Sequence, residues 1–524
     1  MYSQFVRSCR GVSAVIENTG HCAFVLKRLK ATAATSMSVN PYSDPEIKDF
    51  LSKVQEIIVN DVLRDGIDGD KVIDFQQPAK LQELMQLPIG RDPEPTQELL
   101  DHCRRVVKYS VKTANPRFYN QLYSGVNPHS LAGAWMTDAL NTNIHTYEVC
   151  PVFVVMEKYL MQKICGIIGY PNGDGVMCPG GSFSNILANH LARYKRCPEV
   201  KTKGMTGVPK MKIFTSNEAH YSLQKSASFL GFGTDSLVSV ETDEKGKMRV
   251  DDLENKIKVT EGEGSIPLFV MATSGTTVLG AYDDLPAIAD VCEKHGVWMH
   301  VDGAWGGGVL LTDQYKHLMA GVERSHSVAW NFHKMSGIQL QCSVLVVQEK
   351  GLLEKCNRGN AEYLFQQDKN YDPTFDIGDK TIQCGRKVDA MKLWLAWKAM
   401  GDKGMADRVI RAFDNSRYLA QRLRETEGFR LIMPEFECTN VGFWYIPPSL
   451  RGQEETPEWW QKVGKVAPKI KQRMMENGSM MIGYTPLSVK GFVNFFRIII
   501  TNSLQDSAEM DRVLEEIEKL GKDL

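Results

Sequence analysis

The sequence predicts an α/β fold with a mainly parallel sheet, because short apolar runs alternate with helical stretches through the middle of the chain. Between about 166 and 347, strand-like segments are separated by helical ones such as HYSLQKSASFLGFG and DLPAIADVCEKHG; the strand-like segments are MKIFTS, IPLFVMATSGTT, GVWMHVDGAW, HSVAW and CSVLVVQ. Strands that alternate with helices give a sheet covered on both faces. Ligands of such sheets bind in the loops beyond the carboxyl ends of the strands.

Helical patterns flank this region on both sides. DPEIKDFLSKVQEIIVNDVLRDG begins with Asp44 as a helix cap and Pro45 at the first helical position. After Lys387 the pattern is helical again, and the chain ends in the strand NFFRIIIT and the helix DSAEMDRVLEEIEKLG. We therefore predict a disordered extension over 1–42, an N-terminal helical segment over 43–120, a large ligand-binding domain over 121–390 and a small C-terminal α+β domain over 391–524.

The charge balance excludes two classes of partner. The chain carries 62 basic and 63 acidic residues, for a formal net charge of −1. Nucleic acids and anionic membranes both select proteins with a basic excess, so we expect neither as a partner. No run approaches the roughly 20 apolar residues that cross a bilayer, so we expect no stable membrane insertion.

The cysteines and the N-terminus bear on the cellular compartment. Twelve cysteines are scattered from Cys9 to Cys438 without a CxxC pair, which favours neither a metal site nor a disulfide scaffold. We therefore expect no metal, free thiols and a cytoplasmic protein. The first forty residues are basic and hydroxyl-rich, with Glu17 as the only acid. We interpret them as a disordered extension, with a mitochondrial presequence as the minor alternative.

Three apolar segments each contain a single formal charge. These charges are Lys334 within 325–348, Asp302 within 296–312 and Arg497 within 491–505. A solitary ion buried in a core strand costs several kcal/mol unless a partner or water compensates it. Each could reach water at a strand end, or the three could pair with one another. Their joint occurrence beside glycine-rich turns instead indicates a functional site.

These residue types suit one kind of chemistry. A lysine in an apolar pocket has a lowered pKa, so its amine becomes a nucleophile toward an aldehyde. A buried carboxylate can keep a pyridine nitrogen protonated, and an arginine fork suits a substrate carboxylate. Lysine, aspartate and arginine are the charged groups that a pyridoxal 5′-phosphate (PLP) enzyme acting on amino acids requires.

A phosphate cradle is also predicted. The segment VMCPGGSFSNILANHLARYK gives a strand, a Gly180–Gly181 turn, the hydroxyls of Ser182 and Ser184, and then an amphipathic helix. Backbone amides and the positive end of a helix favour a phosphate at such a turn. A second hydroxyl-rich loop, TSGTT at 273–277, follows another strand. Each motif alone has low specificity, since many such turns are only tight turns.

A series of long blocks gives the chain a family resemblance. It resembles the group II PLP-dependent decarboxylases of fold type one, in the branch of glutamate decarboxylase and cysteine sulfinate decarboxylase. The similarity runs from about Asp44 to Leu524. The matching blocks are PRFYNQLYSG, NTNIHTYEV, PVFVVME, SNEAHYS, HVDGAWGGG, WNFHKM, LQCS, YLFQQDKNYD, GDKTIQCGRKVD, NVGFWYIPPSLRG and NFFR. The resemblance implies a PLP-dependent transferase fold, PLP binding by the large domain, and a homodimer with active sites at the subunit interface.

The resemblance also implies roles for individual residues. Lys334 would join PLP as a Schiff base, Asp302 would pair with the pyridine nitrogen and His220 would stack on the ring. Tyr363, in a mobile loop, would protonate the product, and His220 and Lys334 would share in catalysis. The remaining cofactor contacts would be Gly181, Ser182, Thr273, Ala304 and His333. The substrate contacts would be Gln121, Tyr123, Asn143 and Arg497, with Arg497 on the α-carboxylate.

The predicted reaction is decarboxylation of a small acidic amino acid. The ring of Tyr123, where glutamate decarboxylases tend to carry serine, would shorten the pocket and favour cysteine sulfinate and aspartate, giving hypotaurine and β-alanine. Asn143 is typical of the glutamate branch, so glutamate decarboxylation to 4-aminobutanoate is the alternative. One methylene discriminates by only about 1–3 kcal/mol, so overlapping substrates are expected.

Two departures from the family pattern and two other function classes remain open at this point. Phe332 stands where the family has proline before the His–Lys pair, for which we expect altered loop geometry and retained chemistry. Thr485 stands where relatives commonly have glutamine. An aminotransferase could use the same Lys334 and Asp302, and a non-catalytic binding protein could retain the fold.

Overall fold

The computed structural model describes residues 40–359 and 361–524. The predicted extension over 1–42, with its mitochondrial alternative, therefore lies almost wholly outside the described residues. The described chain builds two sheets, one of seven strands and one of five. Among the described residues, no helix combines the length and apolar character needed to cross a membrane.

The seven-stranded sheet confirms the predicted parallel architecture. Its strands are ordered β2-β8-β7-β6-β5-β3-β4, and only β8 runs antiparallel to its neighbours. The strands are β2 (Asp174–Cys178), β3 (Met211–Ser216), β4 (Leu237–Val240), β5 (Ile266–Thr273), β6 (Trp298–Asp302), β7 (Ser327–Asn331) and β8 (Ser343–Val347). The sequence patterns predicted all of them except the short edge strand β4.

Both faces of this sheet are buried. Along β5, Val270 and Ala272 belong to one apolar core, whereas Phe269 and Met271 belong to another. Successive side chains of a strand point to opposite faces, so two cores require helices on both sides. The helices of this region are α5 (Pro128–Leu140), α6 (Pro151–Ile168), α7 (Gly181–Arg196), α8 (Val200–Lys203), α9 (Ser222–Phe229), α10 (Val250–Gly262), α11 (Leu285–His295) and α12 (Leu352–Asn357).

The five-stranded sheet belongs to the C-terminal lobe. Its order is β1-β11-β12-β10-β9, from β1 (Phe118–Tyr119), β9 (Phe429–Leu431), β10 (Asn440–Tyr445), β11 (Met481–Leu487) and β12 (Phe492–Ile499). β1 pairs in parallel with β11, so the N-terminal segment supplies an edge strand to this lobe. Its helices are α13 (Ala390–Glu425), which has non-helical backbone at Gly401, α14 (Pro457–Asn477) and α15 (Ser507–Gly521).

The N-terminal segment is helical, as predicted. The Asp44 side chain accepts a hydrogen bond from the amide of Glu46 and caps α1. A π-helical stretch, Ile57–Arg64, follows α1 directly. The helices are α1 (Pro45–Glu56), α2 (Asp65–Asp68), α3 (Pro78–Met85) and α4 (Thr96–Tyr109). The predicted domain boundaries at 120 and 390 fall just after β1 and at the start of α13.

Candidate active site

The carboxyl ends of the parallel strands bring the predicted site residues to one edge of the large sheet. The register pairs Thr273, the last residue of β5, with Asp302, the last residue of β6, and Asp302 with Ala329 of β7. Lys334 follows the end of β7 by three residues, and its amide donates to the Asn331 carbonyl at 3.1 Å. Adjacent parallel strands thus place these groups side by side.

These residues line one cavity of about 190 Å³. Seven of the eight predicted cofactor contacts belong to its wall, namely Gly181, Ser182, His220, Thr273, Asp302, Ala304 and Lys334. Asn185, Gly275, Thr277, Trp305 and Asn331 complete it. Several polar side chains converge in it, and in small-molecule sites a few such groups fix the orientation of the ligand.

The N-terminus of α7 forms one end of the cavity. Gly180 precedes the helix with φ at +98°, a conformation that side chains rarely adopt. A Cβ on Gly181 would lie 2.8 Å from Asn331 Nδ2 and 3.2 Å from the Ala304 Cβ, so only glycine fits there without a shift. The first amides of α7 have no acceptor inside the helix and carry the positive end of its dipole. This end of the cavity is therefore suited to an anion.

Asp302 is buried and held by two hydrogen bonds. Its Oδ2 accepts from Asn185 Nδ2 at 2.8 Å, and its Oδ1 accepts from the Ala304 amide at 3.0 Å. A carboxylate has about four lone-pair sites, so acceptor capacity remains on the cavity side. Such a carboxylate can accept from a protonated ring nitrogen.

Lys334 stands opposite this carboxylate in the same cavity. Burial lowers the pKa of its ammonium, and the nearby Asp302 charge opposes that shift. No ion pair of Lys334 occurs among residues 40–359 and 361–524. A partly desolvated amine without a direct ion-pair partner is the state in which lysine acts as a nucleophile. Phe332, two residues earlier, is fully buried and stacks on Trp330 at 4.3 Å between ring centroids.

His220 lies on the wall beyond β3. The Ser222 amide donates to its Nδ1 at 3.2 Å, which leaves the ring proton on Nε2. Burial lowers the pKa of the imidazole, an effect that Asp302 opposes and Lys334 reinforces. A neutral imidazole can lie against a flat aromatic ligand without bringing a second charge into the cavity.

Arg497 borders the cavity from the other sheet. It lies on β12, and its Nη1 donates to the carbonyl of Thr277, a wall residue, at 3.1 Å. Its Nη2 donates to the Asn120 carbonyl at 3.4 Å, and burial lowers the pKa of the guanidinium. No carboxylate pairs with it in the described part of the chain. A guanidinium held only by carbonyls keeps its full charge for an anionic ligand.

Besides Arg497, which only borders the cavity, five predicted residues are not part of the cavity wall of the single chain. Tyr363 is 78% exposed, and the Tyr123 ring lies 6.3 Å from that of Phe118. Gln121 is exposed next to Asn120. Asn143 accepts from the Arg386 amide at 2.8 Å, and His333 accepts from the Cys342 amide at 3.1 Å. Their roles stay predictions.

Sequence reasoning missed the polar wall residues that lie beside the predicted ones. Asn185 is one helical turn after Gly181, a spacing that puts both on one side of α7, so its position was readable from the sequence. Asn331 ends an otherwise apolar strand, which is a similar signal. Thr277 and Trp305 carry no such signal, because loop geometry alone decides their direction. Among the described residues, no cluster of three or more His, Cys, Asp or Glu is arranged to hold a metal ion.

Comparison with known proteins gives the family context of this cavity. The model of the pyridoxal-dependent decarboxylase conserved domain matches residues 78–446. The chain is 50% identical to the cysteine sulfinic acid decarboxylase of Homo sapiens over 481 residues, which covers 91% of this chain and 97% of the relative. It is 48% identical to the human acidic amino acid decarboxylase GADL1 over 477 residues, with 91% of each chain covered.

Solved structures agree with this family context. The crystal structure of mouse CSAD superposes with a TM-score of 0.89 at 48% identity, covering 92% of this chain and 100% of that one. Oryza sativa TDC with PLP and tryptamine gives a TM-score of 0.83 at 21% identity, with coverage of 93% and 99%. At that identity the second likeness concerns the fold alone.

Proposed function

Because the chain belongs to the pyridoxal-dependent decarboxylase family, we propose that it removes the α-carboxylate of a small acidic amino acid, cysteine sulfinate and aspartate before glutamate. The enzyme is a PLP-dependent carboxy-lyase, which leaves the aminotransferase and the non-catalytic binding protein without support. The observation that carries the proposal is the single cavity that Lys334 and Asp302 line together with the N-terminus of α7.

The residues present fit PLP. The helix N-terminus at Gly181 and Ser182 suits the phosphate, the Asp302 carboxylate suits the pyridine nitrogen, and the Lys334 amine suits the aldehyde. Thr273 Oγ1 and Asn331 Oδ1 are buried without a hydrogen-bond partner among the described residues. An unpaired buried polar atom costs about 1–3 kcal/mol, so a polar ligand in this cavity offsets that cost.

The cavity residues divide the work of the reaction. When bound, PLP supplies a conjugated ring that takes up the electron pair of the bond broken at Cα. Lys334, with its buried amine, would hold the aldehyde end of the cofactor. Asp302 keeps the ring nitrogen protonated, and His220 lies against the ring and excludes water.

Arg497 selects the bond that breaks. A guanidinium beside the cavity mouth can bind the substrate α-carboxylate with two parallel hydrogen bonds. By fixing the orientation of that carboxylate, Arg497 would favour loss of CO₂ over loss of the Cα proton. The lack of a carboxylate partner for Arg497 in the described chain supports this role.

Tyr363 then donates the proton of its hydroxyl to Cα. It lies in the loop 361–377, outside the cavity wall. Proton transfer requires hydrogen-bond reach, so a loop must close over the cavity before this step. The exposed position of Tyr363 in the single chain is consistent with a loop that serves the cavity of a second subunit.

Substrate choice follows from the length of the pocket. A tyrosine at 123 leaves less room than serine and so favours the three-carbon acids, in agreement with the name of the similar human cysteine sulfinic acid decarboxylase. The side-chain oxygen of Asn143, the residue that favours glutamate, accepts a hydrogen bond from the Arg386 amide at 2.8 Å. That contact supports a structural role for Asn143 in fixing the segment 384–387. Asn143 is therefore weaker support for glutamate as the substrate.

A competition experiment tests the substrate proposal. The purified enzyme receives equal concentrations of cysteine sulfinate, aspartate and glutamate, and the amines and CO₂ are quantified over time. We expect hypotaurine and β-alanine to form before 4-aminobutanoate, with CO₂ equal to total amine. Predominant 4-aminobutanoate would overturn the substrate order, and keto acids in place of CO₂ would overturn the reaction type.

We further propose a homodimer, with each cavity served by the partner's loop. Along α6, Val152, Val155 and Tyr159 follow helical spacing and expose 65%, 47% and 53% of their surface. Ile47 and Leu51 of α1, four residues apart and so on one side of the helix, expose 37% and 49%. Apolar stripes of this kind mark surfaces that a second chain covers.

Mixing two inactive variants tests the shared site. Lys334→Ala and Tyr363→Phe chains are unfolded together and refolded, or co-expressed. If the loop serves the partner, one site of each mixed dimer has both an intact lysine and an intact tyrosine, and random pairing restores about a quarter of wild-type activity. If each loop serves its own chain, no site is intact and the mixture stays inactive.

We also propose that the enzyme works in the cytoplasm. The cysteines that the structure describes are free, without a disulfide among them, and seven of these ten are buried. Free thiols are typical of a reducing compartment. Fractionation of cells that express the full chain would test this, and recovery with mitochondria would select the alternative.

A further inference from the structure

A line of hydrogen bonds leads from Asp302 away from the cavity into the core of the sheet. Asn185 Nδ2 donates to Asp302 Oδ2 at 2.8 Å, and Asn185 Oδ1 lies 3.0 Å from His300 Nε2. His300 Nδ1 lies 2.8 Å from Ser327 Oγ, to which Trp298 Nε1 donates at 3.0 Å. All five side chains are buried, and His300 and Ser327 are 0% exposed.

The two ends of this line fix its direction. An indole N–H can only donate, and an ionised carboxylate can only accept. Asn185 therefore donates from Nδ2 to Asp302, its Oδ1 accepts from His300 Nε2, and a neutral His300 then accepts at Nδ1 from the Ser327 hydroxyl, which also accepts from Trp298. Burial lowers the pKa of His300 to about 4, so the imidazole is neutral near pH 7 and holds its single ring proton on Nε2. Every donor in the line points toward Asp302.

The contact with His300 is not a general feature of α7. One turn further along the helix, Asn189 Nδ2 donates to Ser226 Oγ at 2.9 Å, as Asn185 Nδ2 does to Ser222 Oγ. The Oδ1 atom of Asn189 has no partner among the described residues, whereas that of Asn185 has His300. The two amides are thus matched in their packing and differ in the histidine and in the contact with Asp302.

From this geometry we propose that His300, backed by Ser327, is a positioning residue for the cofactor. By donating to Asn185 Oδ1, it locks the amide with its NH₂ toward Asp302. Without that donor only the contacts of Nδ2 with Asp302 and with Ser222 Oγ orient the amide, so its hydrogen bond to the carboxylate is held less firmly. Asp302 would then be stabilised less in its ionised form and would hold a protonated ring nitrogen less tightly. The inference rests on the proposed contact of Asp302 with that nitrogen.

The test reads the protonation of the ring nitrogen directly. The holoenzyme is prepared with PLP labelled with ¹⁵N in the ring, and its ¹⁵N chemical shift is measured in wild type, His300→Phe, His300→Gln and Ser327→Ala. The PLP dissociation constant is measured in parallel. Glutamine can place an amide donor where Nε2 stands, so His300→Gln is the rescue variant. His326→Phe is the matched control, because His326 is also largely buried and stacks on Trp298 at 4.9 Å, but lies outside the line.

We expect the wild-type shift to be that of a protonated nitrogen and His300→Phe to move toward the neutral value, with a PLP dissociation constant about tenfold higher. Ser327→Ala should move in the same direction by less, and His300→Gln and His326→Phe should stay near wild type. If His300→Phe does not fold, Ser327→Ala carries the test, since it keeps the imidazole. If the variants of His300 and Ser327 that fold show the wild-type ¹⁵N shift and the wild-type PLP dissociation constant, the inference is overturned.

Asp302→Asn separates this failure from a failure of the proposed function. If Asp302→Asn no longer shows the ¹⁵N shift of a protonated ring nitrogen but the His300 and Ser327 variants still do, only the positioning role is wrong. If Asp302→Asn also keeps it, the contact of Asp302 with the ring nitrogen is wrong, and the positioning role falls with it.

Discussion

The cofactor side and the loop side of the proposed active site are built in different ways. On the cofactor side, seven predicted residues line one cavity, because the strand register places them at one sheet edge. On the loop side, the contacts that hold residues 361–377 lie mainly near the C-terminal end of the loop. There Asp376 pairs with Lys369 at 2.8 Å and accepts from the Tyr147 amide at 2.8 Å. Tyr363, near the other end, is 78% exposed.

This difference separates binding from proton transfer. In the proposed mechanism the cavity holds PLP with groups of one chain, whereas the proposed proton donor Tyr363 arrives by loop closure. Changes on one side should therefore leave the other side intact. The following predictions test that independence, from the largest expected effect to the smallest.

Tyr363→Phe should lower amine production by about 10²–10⁴-fold, the usual worth of a positioned general acid, with unchanged PLP content. The measurements are the turnover number and the absorbance of bound PLP. Tyr371→Phe is the control, because that tyrosine lies in the same loop and its hydroxyl donates to Asp376. Loss of PLP in Tyr363→Phe, or equal loss of turnover in both variants, would contradict the separation.

Acid should destabilise the cofactor side. Burial lowers the pKa of His190, His300 and His333 to about 4, and no histidine occurs in 361–377. The unfolded chain binds more protons between pH 6.5 and 4, so the free energy of unfolding falls as pH is lowered through this window. At pH 5 each histidine contributes a loss of about 2 kcal/mol. The buried Asp283, with its pKa raised to about 6, offsets part of this loss.

One histidine can be isolated in that pH dependence. His190 is outside the cavity wall, and in urea unfolding at pH 7.5 and pH 5 the variant His190→Gln should show a loss smaller than wild type by about 2 kcal/mol. His129→Gln, at an exposed position, should behave as wild type. An unchanged pH dependence in His190→Gln would show that its imidazole is not kept neutral by burial.

Gly181→Ala should weaken PLP binding by about tenfold, because its Cβ would lie 2.8 Å from Asn331 Nδ2 and overpacking costs about 1–3 kcal/mol. Gly166→Ala is the control, since nothing lies within 4 Å of the added atom in α6. Equilibrium dialysis with PLP gives both constants. Equal affinity in the two variants would place the phosphate elsewhere.

Tyr123→Ser should shift the preference toward glutamate by about tenfold or less, because one methylene of pocket length is worth about 1–3 kcal/mol. The measurement is the ratio of kcat/KM for glutamate to that for cysteine sulfinate. Tyr123→Phe keeps the ring and should keep the wild-type ratio. If serine and phenylalanine give the same ratio, the ring does not set the pocket length.

The sequence predicted most of the cavity wall, whereas its predictions for the loop side stay untested by the single chain, for physical reasons. Lys334, Asp302 and Thr273 follow strands whose apolar runs are unmistakable, and strand register then determines their neighbours. The position of Asn185 could be inferred from its place one turn after Gly181. The contact of His300 with Asn185 could not be predicted, because His300 lies inside an apolar strand and the sequence does not show what it faces. The edge strand β4 was missed because its residues are only partly buried. Gln121, Tyr123, Asn143 and Tyr363 lie outside the cavity wall, in segments whose direction local sequence patterns do not encode, and their proposed roles rest on the proposed homodimer.

Reduction with borohydride tests the central claim most directly. The holoenzyme is reduced, digested and mapped by mass spectrometry, with Lys334→Ala treated in the same way. We predict one pyridoxyl group on the Lys334 side chain, absent from the variant. A pyridoxyl group on another lysine, or on none, would contradict the assignment of this cavity as the active site.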